Sequence, residues 1–168
     1  MDLPTCDLVI ADGRLVDPEH GVDEVTNIGI VDGRIAYLGP ERPPAEEIID
    51  AAGLIVAPGF IDLHSHAQDL AGHRLQALDG VTTSLELESG ATPVTASYQW
   101  SEAEGRPLHY GYSAGWLYSR AIVKEGLDEQ AVEALPALPL EVFSAIQSGD
   151  RWGEPATPAE LERIIALV

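Results

Sequence analysis

The sequence has little cysteine, few basic residues and few aromatic residues. Its 168 residues include one cysteine and 6% aromatic residues. A single thiol, Cys6, excludes an intrachain disulfide, fits a reducing compartment and is expected to be structural. Nine Lys and Arg stand against 28 Asp and Glu, so the formal net charge is −19. Such an acidic chain without clustered cations disfavours nucleic acid and an anionic membrane as partners.

Long hydrophobic runs are also missing. No apolar stretch reaches the roughly 18 to 20 residues of a membrane span. The first residues, MDLPTCDLVIADG, lack the basic and apolar regions of a signal peptide. We therefore expect a cytoplasmic protein. Because 45% of the residues are hydrophobic, the composition is that of a globular chain rather than a disordered one.

Residues 1–57 alternate short apolar runs with turn residues. Asp-Gly pairs stand at 12–13 and 32–33, and a further turn signal stands at Asp17-Pro18. Asp-Gly between apolar runs is a strong hairpin signal. The pattern predicts a small antiparallel β domain, which two apolar runs at 48–50 and 54–56 extend.

Residues 58–168 follow a different pattern, in which predicted strands and helices alternate. Strands are predicted at 59–64, 82–88 and 108–113, and helices at 70–78 and 93–104. Strands this apolar indicate a parallel sheet covered on both faces, so the predicted fold class is α/β. Two prolines interrupt a helical stretch over 125–146, and Thr157-Pro158-Ala159-Glu160 is typical of a helix start.

The sequence ends within this last predicted helix. A (β/α)8 barrel needs eight such units and about 250 residues, whereas the pattern shows three strands. We therefore expect the first three to four units of an incomplete TIM-like barrel, as the first part of a longer protein. An open barrel edge predicts poor solubility and possible self-association through that edge.

Two histidines stand at the end of the predicted strand 59–64. Because side chains alternate along a strand, the imidazoles of His64 and His66 are expected on one face, with Cα atoms about 6–7 Å apart. A neutral imidazole nitrogen is a good zinc ligand. Asp62 is expected on the same face of the strand as the two histidines and could orient a metal-binding imidazole through a hydrogen bond. The alternative interpretation is a pair of histidines in an exposed loop.

The run Pro58-Gly59-Phe60-Ile61-Asp62-Leu63-His64-Ser65-His66 resembles the first barrel strand of the amidohydrolase superfamily. As in that family, a turn-rich β segment precedes it. The resemblance implies a partial β-sandwich at 1–57 and the start of a metal-dependent hydrolase barrel at 58–168. It further implies that His64 and His66 bind the more exposed metal, with Zn²⁺ or another divalent cation as cofactor. It places the general-base aspartate beyond residue 168, so this chain alone is expected to be nearly inactive.

The second predicted strand resembles one branch of that superfamily, the N-acyl-D-amino-acid deacylases, which include D-aminoacylases and N-acyl-D-glutamate deacylases. In D-aminoacylases and related enzymes of this branch a cysteine near the end of the strand binds the metal, and Ser89 stands at the corresponding place. Serine replaces a thiolate poorly, but Glu86 or Glu88 on one strand face could supply a bridging carboxylate. Glu88 is favoured because it is nearer the carboxyl end. The alternative is that both glutamates are solvated charges.

The resulting hypothesis is metal-assisted hydrolysis of a non-peptide amide C–N bond in a small N-acyl-D-amino acid. Two alternatives stay open. One is a cyclic-amide hydrolase of the dihydroorotase or hydantoinase kind, for which a lysine from the fourth strand is expected. The other is a non-catalytic truncated homologue.

Weaker candidates lie elsewhere in the sequence. His73 is predicted at the surface of the helix 70–78, and His20 in a turn without a partner. The third predicted strand and the residues after it supply further candidates for substrate contact or for a pocket wall, namely His109, Tyr110, Trp116 and Tyr118.

Overall fold

The structure is a computed structural model that describes residues 3–129 and 140–168. The chain divides into two compact units, Met1–Pro58 and Gly59–Val168. Within the described residues the secondary structure is mixed α/β, with eight strands in two sheets and five helices. No described helix is long and apolar enough to cross a membrane.

The first unit is a five-stranded sheet. Its strands are β1 (Cys6–Asp17), β2 (Val22–Val31), β3 (Arg34–Gly39), β4 (Ala45–Asp50) and β5 (Ile55–Val56). The order is β3-β2-β1-β4, and β5 also pairs with β1. The β1–β2 and β2–β3 pairs are antiparallel, whereas β4 and β5 are parallel to β1. The predicted antiparallel pairing is therefore confirmed for β1, β2 and β3, whereas β4 and β5 follow one another along the same edge of β1 as parallel strands.

The two Asp-Gly pairs of this unit have different structures. Asp32-Gly33 connects β2 to β3, and both residues have positive φ, 49° and 70°, as a type I′ hairpin turn requires. Asp12-Gly13 lies inside β1, where the register with β2 shifts. A Cβ at position 13 would lie 2.5 Å from a side-chain atom of Val56. The pair therefore forms a bulge against β5, and the prediction of a turn there is wrong.

The second unit contains a parallel three-stranded sheet of order β6-β7-β8. Strands and helices alternate as predicted. In chain order the elements are β6 (Phe60–Asp62), α1 (Leu70–Leu78), β7 (Val81–Ala91), α2 (Val94–Glu104), β8 (His109–Ala114), α3 (Trp116–Glu125), α4 (Leu140–Ser148) and α5 (Pro158–Leu167).

Local signals predicted several helix bounds of this unit. The structure confirms the predicted range of α1. At the start of α5, Thr157 and Glu160 form a capping box, which confirms the predicted helix start. The predicted helical stretch 125–146 lies partly outside the described residues, and α4 begins at Leu140.

The apolar residues of the second unit are unevenly buried. Tyr118 and Ile122 of α3 pack with Val142 of α4 in a buried cluster. On the edge strand β6, by contrast, Phe60 and Ile61 are exposed. The self-association expected from an open barrel edge stays a prediction.

Candidate metal centre

The site lies in the second unit, at the carboxyl ends of β6 and β7. β6 ends at Asp62, so the prediction of a strand that continues to His64 is wrong. The following loop stays beside β7, because the Ser65 N–H donates to the Leu85 carbonyl at 3.1 Å and His64 forms an isolated bridge with Glu86. This histidine loop, residues 64–66, therefore sets the direction of the imidazoles, rather than the pleat of a strand.

The two imidazoles of the histidine loop converge. Their ring centroids are 5.1 Å apart and their planes are nearly perpendicular, at 85°. The Nε2 atoms of His64 and His66 lie 3.7 Å and 3.5 Å from the same atom, Oε2 of Glu88. All three side chains are more than half exposed, so the point where they meet is open to solvent.

Glu86 supports His66 from the protein interior. Its side chain is 2% exposed, and its Oε2 lies 2.5 Å from Nδ1 of His66. Its Oε1 accepts hydrogen bonds from the N–H groups of Ser89 and Gly90, at 2.9 Å and 3.4 Å. In the tautomer with the proton on Nδ1, His66 donates to this carboxylate, and Nε2 is the ring nitrogen on the side of Glu88. Carboxylates orient metal-binding imidazoles in this way.

A bulge in β7 separates the two glutamates. The register with β8 is regular up to Glu86 and resumes at Ala91. The intervening residues break the alternation of the strand, so Glu86 is buried and Glu88 is 57% exposed although they are two residues apart. The bulge needs a glycine, because Gly90 has a φ of +72° and a Cβ there would lie 2.7 Å from the Ala114 carbonyl carbon.

Glu88 is held as an anion beside the imidazoles. The Ser89 hydroxyl donates to Glu88 Oε2 at 2.6 Å. That hydrogen bond is the largest cause that lowers the pKa of Glu88, and charges on His64 and His66 lower it further. A negative oxygen therefore lies 3.7 Å and 3.5 Å from the ring Nε2 atoms of His64 and His66.

This donor set fits one divalent cation. One ligand atom from each of His64, His66 and Glu88 lies within 4.8 Å of the others. Two ligands of a tetrahedral zinc with bonds of 2.0–2.1 Å are about 3.4 Å apart, close to the observed 3.5 Å and 3.7 Å separations. Two histidines and one carboxylate are also the ligands of catalytic zinc sites that keep a fourth position open.

The carboxylate of Asp62 supports the main chain of the histidine loop. It accepts hydrogen bonds from the His64 N–H at 3.0 Å and from Gln76 Nε2 at 3.2 Å. Asp62 thus contacts the backbone of His64 rather than an imidazole ring. Its role in support of a metal centre stays a prediction.

A cavity of about 290 Å³ adjoins the site. Tyr118 lines this cavity, which agrees with the expectation of a role in a pocket wall. The centroids of the Tyr118 and Phe143 rings are 5.9 Å apart. Trp116 is exposed and is not among the residues that line this cavity. The lining residues are His66, Gln68, Glu86, Ser89, Gly90, Tyr118 and Phe143.

Two residues of the third predicted strand lie away from this cavity. His109 begins β8 and therefore stands at the opposite end of the sheet from the histidine loop. Tyr110 contacts the rings of His73 and Tyr98. A substrate contact by His109 or Tyr110, considered from the sequence, is not supported by these positions.

Two histidine predictions are wrong. His73 is fully buried rather than at the surface, with Nε2 3.3 Å from Oε1 of Gln68. His20 has a partner, since its Nδ1 lies 2.7 Å from Asp17 Oδ2. Sequence reasoning also missed Gln68 and Gln76, both of which bond to the histidine loop. The spacing of His73 and Gln76, three residues apart on α1, was the available signal that they share a face.

Comparisons with known proteins show the family and the fold. The amidohydrolase family model matches residues 47–152. A dihydroorotase of Solibacter usitatus is 49% identical over 63 residues, which are 37% of this chain and 15% of that protein.

Among solved structures, an N-acyl-D-glutamate deacylase from Bordetella bronchiseptica, complexed with zinc and a phosphonate inhibitor, is similar with a TM-score of 0.61. It is 22% identical, over 96% of this chain and 42% of the other. A D-aminoacylase variant in complex with CuCl2 has a TM-score of 0.65 and 21% identity, over 96% and 35% of the two chains. These two likenesses show a shared fold. The chain spans well under two thirds of the length of each relative.

Proposed function

Since this chain belongs to the amidohydrolase family, we propose that it is a hydrolase that uses a divalent metal, Zn²⁺, to cleave amide C–N bonds other than peptide bonds. His64, His66 and Glu88 would hold the metal. The observation that carries the proposal is the convergence of their ligand atoms within 4.8 Å. The zinc and copper chloride complexes of the two similar structures support it.

Each residue of the proposed site has a separate role. A bound divalent cation supplies Lewis acidity toward an amide carbonyl and lowers the pKa of water. His64 and His66 present Nε2 lone pairs, and Glu88 contributes the negative oxygen. Glu86 holds the Nδ1 proton of His66 and so keeps that imidazole in the tautomer that can bind a metal. The adjoining cavity of about 290 Å³ is near the lower size limit of small-molecule pockets.

We propose an N-acyl-D-amino acid as the substrate. The fold shared with a D-aminoacylase and an N-acyl-D-glutamate deacylase over 96% of this chain supports it. A second candidate, a cyclic-amide hydrolase, is favoured by the 49% identity to a dihydroorotase. That identity covers 15% of the dihydroorotase, so it compares only a small part of that enzyme with this chain.

The proposal extends to the architecture. Residues 1–57 would form part of a small β-sandwich, and residues 58–168 the start of a (β/α)8 barrel. The parallel order β6-β7-β8 with helices between the strands supports a barrel start.

Metal binding is tested first. The metal-free protein is titrated with Co²⁺, and visible absorption reports tetrahedral coordination by nitrogen and oxygen. We expect one equivalent to bind to the wild type and none to His64→Ala. His20→Ala, which removes a histidine of the first unit, is the matched control and should bind like the wild type. Equal binding by all three proteins would contradict the proposed ligand set.

Substrate class is tested next, with the zinc-loaded protein. The protein is assayed separately with N-acetyl-D-amino acids, their L-enantiomers, dihydroorotate and hydantoin. The assay measures release of the amine or ring opening. Selective hydrolysis of the D-acyl compounds supports the deacylase. Ring opening alone supports the second candidate. Metal binding without turnover is expected both of a non-catalytic homologue and of a chain whose general-base aspartate lies outside residues 1–168, as the resemblance implies.

A further inference from the structure

The histidine loop rests on a buried layer of polar side chains that the proposed chemistry does not use. Ser65 stands between the two histidines and is itself buried. The side chain of Gln68 is almost completely buried, and its Nε2 donates to the Ser65 carbonyl at 2.9 Å and to Ser84 Oγ at 3.2 Å. One amide hydrogen of Gln68 thus binds the histidine loop and the other binds β7.

His73 lies beside the oxygen of this amide. Its Nε2 lies 3.3 Å from Oε1 of Gln68. Because Oε1 only accepts, His73 carries a hydrogen on Nε2, and burial, with the charge of Arg106, lowers the pKa of His73 so that the ring is neutral. A reversed Gln68 amide would set two oxygens against each other at the Ser65 carbonyl, which only accepts hydrogen bonds. The amide therefore has one stable orientation.

We propose that Gln68 is a positioning residue of the metal centre, whose buried amide, tied to β7 through Ser84, holds the Ser65 carbonyl and thereby fixes the separation of His64 and His66. This inference rests on the proposed metal site. Ser65 is the single residue between the two histidines, so a tilt of its peptide moves both rings. Metal ligands must be held to within about 0.5 Å, which gives such a tilt a large effect on affinity.

Four variants test the proposal. Gln68→Glu has nearly the same shape but turns an acceptor toward the Ser65 carbonyl, and Gln68→Met removes the donors without burying a charge. Ser84→Ala removes the second acceptor of Gln68 and leaves its bond to the histidine loop. Gln99→Glu makes the same exchange at an exposed glutamine of α2. The measurements are the Co²⁺ dissociation constant, the visible spectrum of bound Co²⁺ and the melting temperature without metal.

We expect both Gln68 variants to weaken Co²⁺ binding by about 10- to 100-fold, the usual cost of losing a residue that orients metal ligands, and to change the visible spectrum. Gln99→Glu should bind like the wild type. Ser84→Ala should lower the melting temperature and keep the wild-type spectrum and affinity. If affinity instead follows the melting temperature through all variants, Gln68 has a structural role only and the proposal is wrong.

A measurement on the wild type covers the case in which the Gln68 variants do not fold. Addition of Zn²⁺ should shift the side-chain amide resonances of Gln68 in ¹H–¹⁵N spectra and leave those of Gln99 in place, and unchanged Gln68 resonances would overturn the proposal. If the wild type binds Co²⁺ and the Gln68 variants bind it with the same affinity and spectrum, only the positioning role is refuted. A wild type that binds no Co²⁺ refutes the proposed metal site and this inference together.

Discussion

Two histidine–carboxylate pairs of nearly equal length occur in different regions of the molecule. His20 and Asp17 meet at 2.7 Å in the turn after β1, and His66 and Glu86 meet at 2.5 Å beside β7. Both carboxylates also accept backbone N–H groups. Asp17 is 22% exposed and three residues from its partner, whereas Glu86 is 2% exposed and twenty residues away in sequence. Burial and distant pairing, rather than hydrogen-bond length, distinguish the candidate site from an ordinary turn.

The difference has energetic consequences. An exposed pair competes with water and contributes little to stability. A buried carboxylate has already lost its water, so its hydrogen bonds must all be made by the protein. Glu86 therefore ties the histidine loop to the β7 bulge, while Asp17 only shapes its own turn.

The largest effect should come from removal of the histidines themselves. We expect His66→Ala to weaken Co²⁺ binding by more than about 100-fold, since loss of a residue that merely orients a ligand already costs about 10- to 100-fold. His20→Ala should leave the dissociation constant unchanged. Isothermal titration of both variants checks this, and similar losses would remove the distinction between the two pairs.

Removal of the carboxylate should affect the stability of the protein differently in the two histidine–carboxylate pairs. We expect Glu86→Ala to lower the free energy of unfolding by about 2–4 kcal/mol, because the N–H donors of His66, Ser89 and the buried Gly90 lose their acceptor. Asp17→Ala should change it much less, since its donors can turn to water. Urea denaturation of the metal-free proteins measures both. A Glu86 variant as stable as the wild type would show that the buried pair is dispensable.

Glu88 should behave as a ligand and not as a structural residue. We expect Glu88→Gln to weaken Co²⁺ binding roughly tenfold, less than removal of a histidine ligand because the amide keeps an oxygen in place and loses only the negative charge. The melting temperature should not change, because the side chain is exposed. Glu102→Gln, at another exposed glutamate of this unit, is the matched control. Unchanged affinity in Glu88→Gln would assign the carboxylate ligand elsewhere.

The smallest effect concerns the exposed pair. The hydrogen bond to Asp17 raises the pKa of His20, and the same bond lowers the pKa of Asp17. The His20 contribution is complete below its unfolded pKa of about 6.5 and is lost as pH rises through the raised value. The Asp17 contribution is complete above about pH 3.9 and is lost as pH falls through the lowered value.

Asp17→Asn should therefore bring the pKa of His20 down toward its ordinary value. An NMR titration of the His20 ring protons from pH 4 to 9 measures the change. A His20 pKa that is equal in both proteins would mean that the 2.7 Å contact does not persist in solution.

Local sequence signals predicted the elements better than the burial of individual residues. The bounds of α1 and the capping box of α5 follow from residues within one turn of each helix. The Asp12-Gly13 pair misled because the same dipeptide suits a turn or a bulge, and the choice depends on β5, about forty residues later. The burial of His73 was not predicted because the buried face of α1 is polar.

The amino-acid sequence alone determined that two histidines follow a short apolar strand, that two glutamates stand on the next strand, and that helices alternate with parallel strands. Only the tertiary structure decided that Glu86 lies inside and supports His66 while Glu88 faces solvent and both imidazoles. The bulge in β7 makes that division, and it depends on how β7 pairs with β8. Because burial and hydrogen-bond partners are set by residues far apart in the chain, periodicity along one strand cannot determine them.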